Sequence, residues 1–108
     1  MNTTMIRTIY EYHYARLNEI WDSIMTLSDA QFVQDIPYSW GSLRNHMVHL
    51  INDDRSWMSL LADKTDYVTL SPDDFISRAA VRAEYSRLEA EVQKFISIWA
   101  FIIHKAEI

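Results

Sequence analysis

Along the first quarter of the chain a stripe of Ile6, Tyr10, His13, Leu17, Ile20, Ile24 and Leu27 advances in alternating steps of four and three residues. Such spacing keeps side chains on one face of an α-helix and is typical of a helix packed in a bundle. It predicts a first long helix from Thr3 to Thr26. In "LSDAQF", Ser28 offers an N-cap with Gln31 three residues on, a capping box that predicts a short helical piece over Asp29 to Gln34. Asp35 to Gly41 reads as loop, because Pro37 biases Ile36 away from helix. Ser42 then caps a second long helix, which carries Leu43, Met47, Leu50, Ile51, Asp54, Met58 and Leu61 on one face and ends near Ala62. After the polar "DKTDYVTL", the segment "SPDD" supplies Ser71 as a cap, Pro72 at the first helical position and two acids against the positive end of a helix dipole. A third helix is predicted from there towards the C-terminus, through Tyr85, Leu88, Val92, Phe95, Trp99 and Ile102. With up to about 35 residues it would reach roughly 50 Å against roughly 30 Å for the second helix, so it either breaks or projects from the bundle. Its segment "FISIWAFII" is apolar nearly all round and needs cover on every side.

Composition narrows the class and leaves the helices in place. A chain of 108 residues suits one domain with one core. One Gly and two Pro leave little room for tight turns, which favours an all-α fold built of long helices. The absence of cysteine excludes disulfides, thiolate metal sites and cysteine nucleophiles, and a reducing cytoplasm is the expected setting. No apolar run approaches the length of a membrane span, and "MNTTMIRTIYEYHY" has no signal-peptide apolar region, so a cytoplasmic protein with no membrane partner is expected. With a net charge of −5 and scattered Lys and Arg, the chain has no electrostatic footprint for a phosphate backbone, and nucleic acid is not an expected partner.

Candidate chemistry gathers on the second long helix. Asp54 falls inside its apolar face, where a carboxylate has to be paired, protonated or ligand-bound, since an isolated buried charge is very costly. Substantial burial and a hydrogen bond to a Tyr, Trp or His of the first helix are expected for it. His13, on the first stripe, is expected to be a core histidine bonded to a neighbour. By periodicity His49 projects away from the stripe and reads as a surface residue, with His46 on the flank. His46 and His49 at spacing three, or His49 and Asp53 at spacing four, could meet one ion from a helix edge, but two ligands do not close a zinc site. Hard cations ask for more oxygens than one helix edge offers. The chain has no HExxH, no Gly-rich phosphate loop and no Ser within a nucleophile motif.

The order of these pieces resembles the DinB-like family of four-helix bundles, including its YfiT-like branch. The resemblance runs through "YEYHYARLNEIWDSI", "LSDAQFVQDIPYSWGSLRNHMVHLINDDRSW" and, more weakly, "SRAAVRAEYSRLEAEVQKFI", the middle segment being the specific part. In that family a Gly-Ser pair opens helix two, a metal-ligand His follows seven residues after the Ser, an acid five later and a Trp three after that. The matching positions are Gly41, Ser42, His49, Asp54 and Trp57, with Asp54 shorter than the usual Glu. The resemblance implies an up-down helical bundle and, against the helical wheel, makes His49 a metal ligand. It also implies a divalent metal, zinc or nickel, held by three histidines, two of them four apart on helix four. The open position of such an ion makes a nucleophile of water or a thiol, for hydrolysis or thiol-dependent transfer. That histidine pair is missing: no His-x-x-x-His occurs, and only His104 lies beyond His49. "WAFIIHKAEI" is similar to the opening of the family's helix four; in another register "HKAEI" resembles the end of the ligand motif, with Ala100 at the other ligand position. In either register the implied three-histidine site is incomplete, with Asp54, Trp57 and His104 as site-lining residues. The implied domain covers residues 1–108, its fourth helix missing or merged into the C-terminal end.

Two functions from different classes stay open on these residues. One is a metal-dependent hydrolase or thiol-dependent transferase acting on a small molecule of unknown identity, with His49 a surviving ligand. The other is a metal-free helical module for oligomerisation or binding. A homodimer through the C-terminal helix is expected, because Ile96, Ile98, Trp99, Phe101, Ile102 and Ile103 form a segment too apolar to stay in water.

Overall fold

In the computed structural model, which describes residues 3–37, 40–63 and 67–107, the described residues form helices and loops without any strand. Helix α1 covers Thr3–Ile24, α2 Asp29–Val33, α3 Leu43–Leu61 and α4 Arg78–Glu107, with a 3-10 turn at Pro72–Asp74 before the last. Helix α4 is the central element and packs along both α3 and α1, while α2 closes against α3. The fold is all-α, with three long helices and one short one.

The buried face of α1 is turned from the predicted one. Tyr14, Leu17, Trp21 and Ile24 are buried with Tyr10 packed beside them, whereas Ile20 is exposed and His13 half-exposed. Both stripes obey the same three-four spacing and share Tyr10, Leu17 and Ile24. Tyr14 takes the place of His13 and Trp21 that of Ile20, adjacent residues that point about 100° apart, so the face turns by roughly half that angle about the shared positions. The larger rings win because they fill the space between α1 and α4, where Tyr85 lies 6.0 Å from Tyr14 and 5.8 Å from Trp21, ring centre to ring centre. Burying each such side chain is worth roughly 1.5–3 kcal/mol.

Helix α2 starts as predicted. Gln31 N–H donates to Ser28 Oγ at 3.1 Å, and Ser28 N–H donates back to Gln31 Oε1 at 2.9 Å. Its Phe32 is fully buried against Trp21. Gly41, at φ +93°, occupies the left-handed region that suits glycine, and its carbonyl accepts from Ile36 N–H to close the loop before α3. Ser42 Oγ caps α3 by accepting from Asn45 N–H at 3.0 Å. Along α3, Met47, Val48, Ile51 and Ser59 are buried and Leu43, Leu50 and Met58 packed against the core; Leu61, expected on that face, is exposed on the last turn.

The third long helix begins six residues later than "SPDD" suggests. Pro72–Asp74 form only the 3-10 turn, Ser71 makes no side-chain cap, and the cap of α4 is Ser77, whose Oγ accepts from Ala80 N–H at 3.1 Å. Tertiary contacts account for the later start. Arg78, first residue of α4, donates from its backbone N–H and Nε to Asp29 Oδ1, both at 2.9 Å, and from its guanidinium to the carbonyls of Met25 and Leu27. The connection before it is held by Asn52, which donates to Leu70 O and accepts from Leu70 N–H, both at 2.9 Å. Arg44 adds a bond of 3.1 Å to Phe75 O.

At 30 residues α4 is about 45 Å long, and α3, at 19 residues, about 28 Å. The last turns of α4 lie beside the end of α3 and the start of α1, yet they leave Ile98, Phe101 and Ile102 exposed. Among the described residues no helix is long and apolar enough to cross a membrane.

Candidate functional site

The start of α1 and the ends of α3 and α4 meet at one end of the bundle around a cavity of about 170 Å³. Helix α1 contributes Ile6, Tyr10 and Tyr14; α3 contributes Asp54, Trp57, Met58 and Leu61. The opposite wall is Val92, Phe95, Ile96 and Trp99 of α4. Asp54 is the one charged residue among these linings.

Two residues of α1 hold Asp54. Tyr14 OH donates to its Oδ2 at 3.2 Å, and His13 Nε2 lies 3.2 Å from the same oxygen. Adjacent residues on a helix point about 100° apart, so His13 and Tyr14 reach the carboxylate from different sides, their rings meeting edge to face at 4.9 Å. Burial, reinforced by the Asp54 charge, raises the Tyr14 phenol well above its ordinary value, so the phenol stays a donor. Among the described residues both hydrogen bonds fall on Oδ2. Partnership with a Tyr or His of α1 agrees with expectation, but the burial does not: the Asp54 side chain keeps 29% of its surface exposed and His13 keeps 42%. The reason is the cavity itself, which opens the bundle just where the carboxylate sits.

His49 belongs to a separate group. It is one-third exposed, its Nε2 lies 2.9 Å from Asp53 Oδ2 one turn on, and its ring stacks on Trp40 at 3.8 Å. Trp57 is exposed at the cavity rim and His46 is exposed on the flank of α3. The side chain of His104 lies outside the described residues. The structure thus brings Asp54 and Trp57 to one cavity and leaves His49 in its own pair. Tyr10, Tyr14 and the α4 wall were not singled out as site residues; the signal in the sequence was the aromatic pairs four residues apart, Tyr10 with Tyr14 and Phe95 with Trp99. A polar link of the same kind ties α1 to α4 deeper in the core, where Tyr85 OH donates to Asn18 Oδ1 at 3.1 Å and Asn18 Nδ2 donates to Glu89 at 3.3 Å. Burial, with Glu89 nearby, raises the Tyr85 phenol.

An all-helical bundle with an apolar cavity at one end and a carboxylate held at its wall is the class of protein these features define. The DinB family model matches residues 1–101, and the chain belongs to that family. No curated protein and no solved structure matches it.

A three-histidine centre of the kind the resemblance implies needs three donors converging on one point. The donors here fall into pairs, His49 with Asp53 and His13 with Asp54. Among the described residues no three His, Asp or Glu side chains are grouped to hold an ion. The described side chains do not fit that centre.

Proposed function

We propose that this DinB-family chain is a small-molecule-binding module that works through the apolar cavity at the open end of its bundle, rather than through a three-histidine metal centre. The observation that supports this reading is the cavity: about 170 Å³ between three helices, with a single carboxylate secured by Tyr14 and His13. An apolar cavity of about 150 Å³ holds one benzene ring, so this one has room for a small ring or a short branched chain. Apolar walls with a few fixed polar groups are the general form of a ligand site. The paired donors support the metal-free alternative, since His49 has Asp53 as its neighbour and no third ligand among the described residues. The metal content of purified protein, measured beside a His49→Ala variant, tests this. Both should carry substoichiometric metal; stoichiometric zinc or nickel that disappears with His49 overturns the reading in favour of a metal-dependent hydrolase or transferase.

A second reading, compatible with the first, is a homodimer through the C-terminal end of α4. Exposure of Ile98, Phe101 and Ile102 on α4 and of Trp57, Leu60 and Leu61 on α3 favours it, because these side chains sit at the same end of the bundle and form apolar surface of the kind that marks association sites. The C-terminal end of another copy's α4 would cover such a surface, and a twofold exchange closes after two subunits.

A further inference from the structure

We infer that the cavity takes a small apolar monocation, an amine of about benzylamine size whose ammonium sits on Asp54 and whose apolar part lies among Tyr10, Phe95 and Trp99. This rests on the cavity being the working site of the chain. Asp54 is the one charged group among the lining residues, and its two hydrogen bonds both go to Oδ2, leaving Oδ1 without a partner among the described residues. A neutral ligand that filled the cavity would strip water from this carboxylate and return nothing, a costly exchange for a charged group. An anionic ligand would add repulsion. An ammonium supplies charge-assisted hydrogen bonds to the open oxygen. The walls favour the same choice, because five aromatic side chains, Tyr10, Tyr14, Trp57, Phe95 and Trp99, line the cavity with the carboxylate and aromatic faces attract cations. The adjoining groove behind Tyr10 and Tyr14 carries Arg7 and Glu11, one charge of each sign, so Asp54 sets the sign of the cavity. A net charge of −5 draws cations to the protein as a whole.

Benzylamine, benzyl alcohol and benzoate share one ring and differ in the charge of the head group, and their saturable binding near neutral pH can be followed by NMR shifts of the cavity residues. Benzylamine should bind about tenfold more tightly than benzyl alcohol, with benzoate weakest. Asp54→Asn should bring the amine to within about twofold of the alcohol while the alcohol still binds. Equal affinity for amine and alcohol in the unaltered protein, or an amine preference that survives Asp54→Asn, overturns the cationic class and leaves the cavity reading intact. Failure of all three probes to bind overturns both. Amine affinity that falls as protein concentration rises, in step with dimer formation by sedimentation, means that a second copy fills the cavity, and this too overturns the inference. The three-probe comparison in the unaltered protein decides the matter by itself if the Asn variant does not fold.

Discussion

Arg78 ties three segments together through four hydrogen bonds, two to Asp29 and one each to the carbonyls of Met25 and Leu27. The hydrogen bonds from its backbone N–H and its guanidinium hold the Asp29 carboxyl below its ordinary 3.8. Glu84 is a second case with a different balance. Burial works to raise it, but Arg87 and Arg55 both donate to it and together hold it below its ordinary 4.5. A carboxyl whose pKa is lowered by folding stabilises the fold above its unfolded value, and that stabilisation is lost as pH falls through the folded value. The melting temperature should therefore hold steady from neutral pH down to the ordinary carboxylate range and fall below it. Asp29→Asn and Glu84→Gln should each lower the melting temperature at neutral pH and flatten the acid limb, as read from melts across that range; an acid limb unchanged in both variants counts against these assignments.

At the scale of the element, the start of α4 shows local signals competing with packing. "SPDD" has the composition of a helix N-terminus, yet its helical hydrogen bonding ends within one 3-10 turn, where Phe75 N–H bonds to Pro72 O, and the long helix waits for Ser77. Arg78 can reach Asp29 and the end of α1 only if α4 begins beside it. Losing a working N-cap costs about 1 kcal/mol, whereas a serine that makes no cap bond is a surface change worth less than about 0.5 kcal/mol. Urea unfolding should consequently show Ser77→Ala to be destabilising by about 1 kcal/mol and Ser71→Ala nearly neutral. The reverse order would put the working cap at Ser71.

For the molecule as a whole, the length of α4 is the dominant feature, about 45 Å along a long dimension of 54 Å against 28 and 23 Å for the others. Ile98, Phe101 and Ile102 near its end stay exposed, although Ile98 borders Met58 and Ser59 of α3 and Phe101 borders Thr4 and Thr8 of α1, and sequestering each from water would contribute roughly 1.5–3 kcal/mol. A second copy would satisfy that demand at one cost in rigid-body entropy for two buried helix ends. Sedimentation at micromolar concentration should find a dimer that Phe101→Asp combined with Ile102→Asp converts to monomer. A compact monomer in the unaltered protein, or an association state indifferent to the two charges, removes the dimer.

From the order of residues alone, the helices could be read because each depends on neighbours a turn away: the Ser28 and Gln31 capping box, Ser42 at the start of α3 and the three-four spacing of Tyr85, Leu88 and Val92 are local facts. The partners of Asp54 were legible as a class, since a carboxylate on an apolar face has to find a donor. What only the tertiary structure decided was rotation, offset and convergence. Whether α1 buries His13 or Tyr14 depends on which ring better fills the gap beside Tyr85, more than 70 positions along the chain. Where α4 starts depends on Arg78 reaching back 49 residues to Asp29. Whether His49 meets other ligands depends on where distant helices pass, and its partners among the described residues, Asp53 one turn on and Trp40 just before α3, are both local. Periodicity constrains a face to within one residue, about 100°, and the choice inside that interval belongs to side-chain volume and to contacts between segments far apart in sequence.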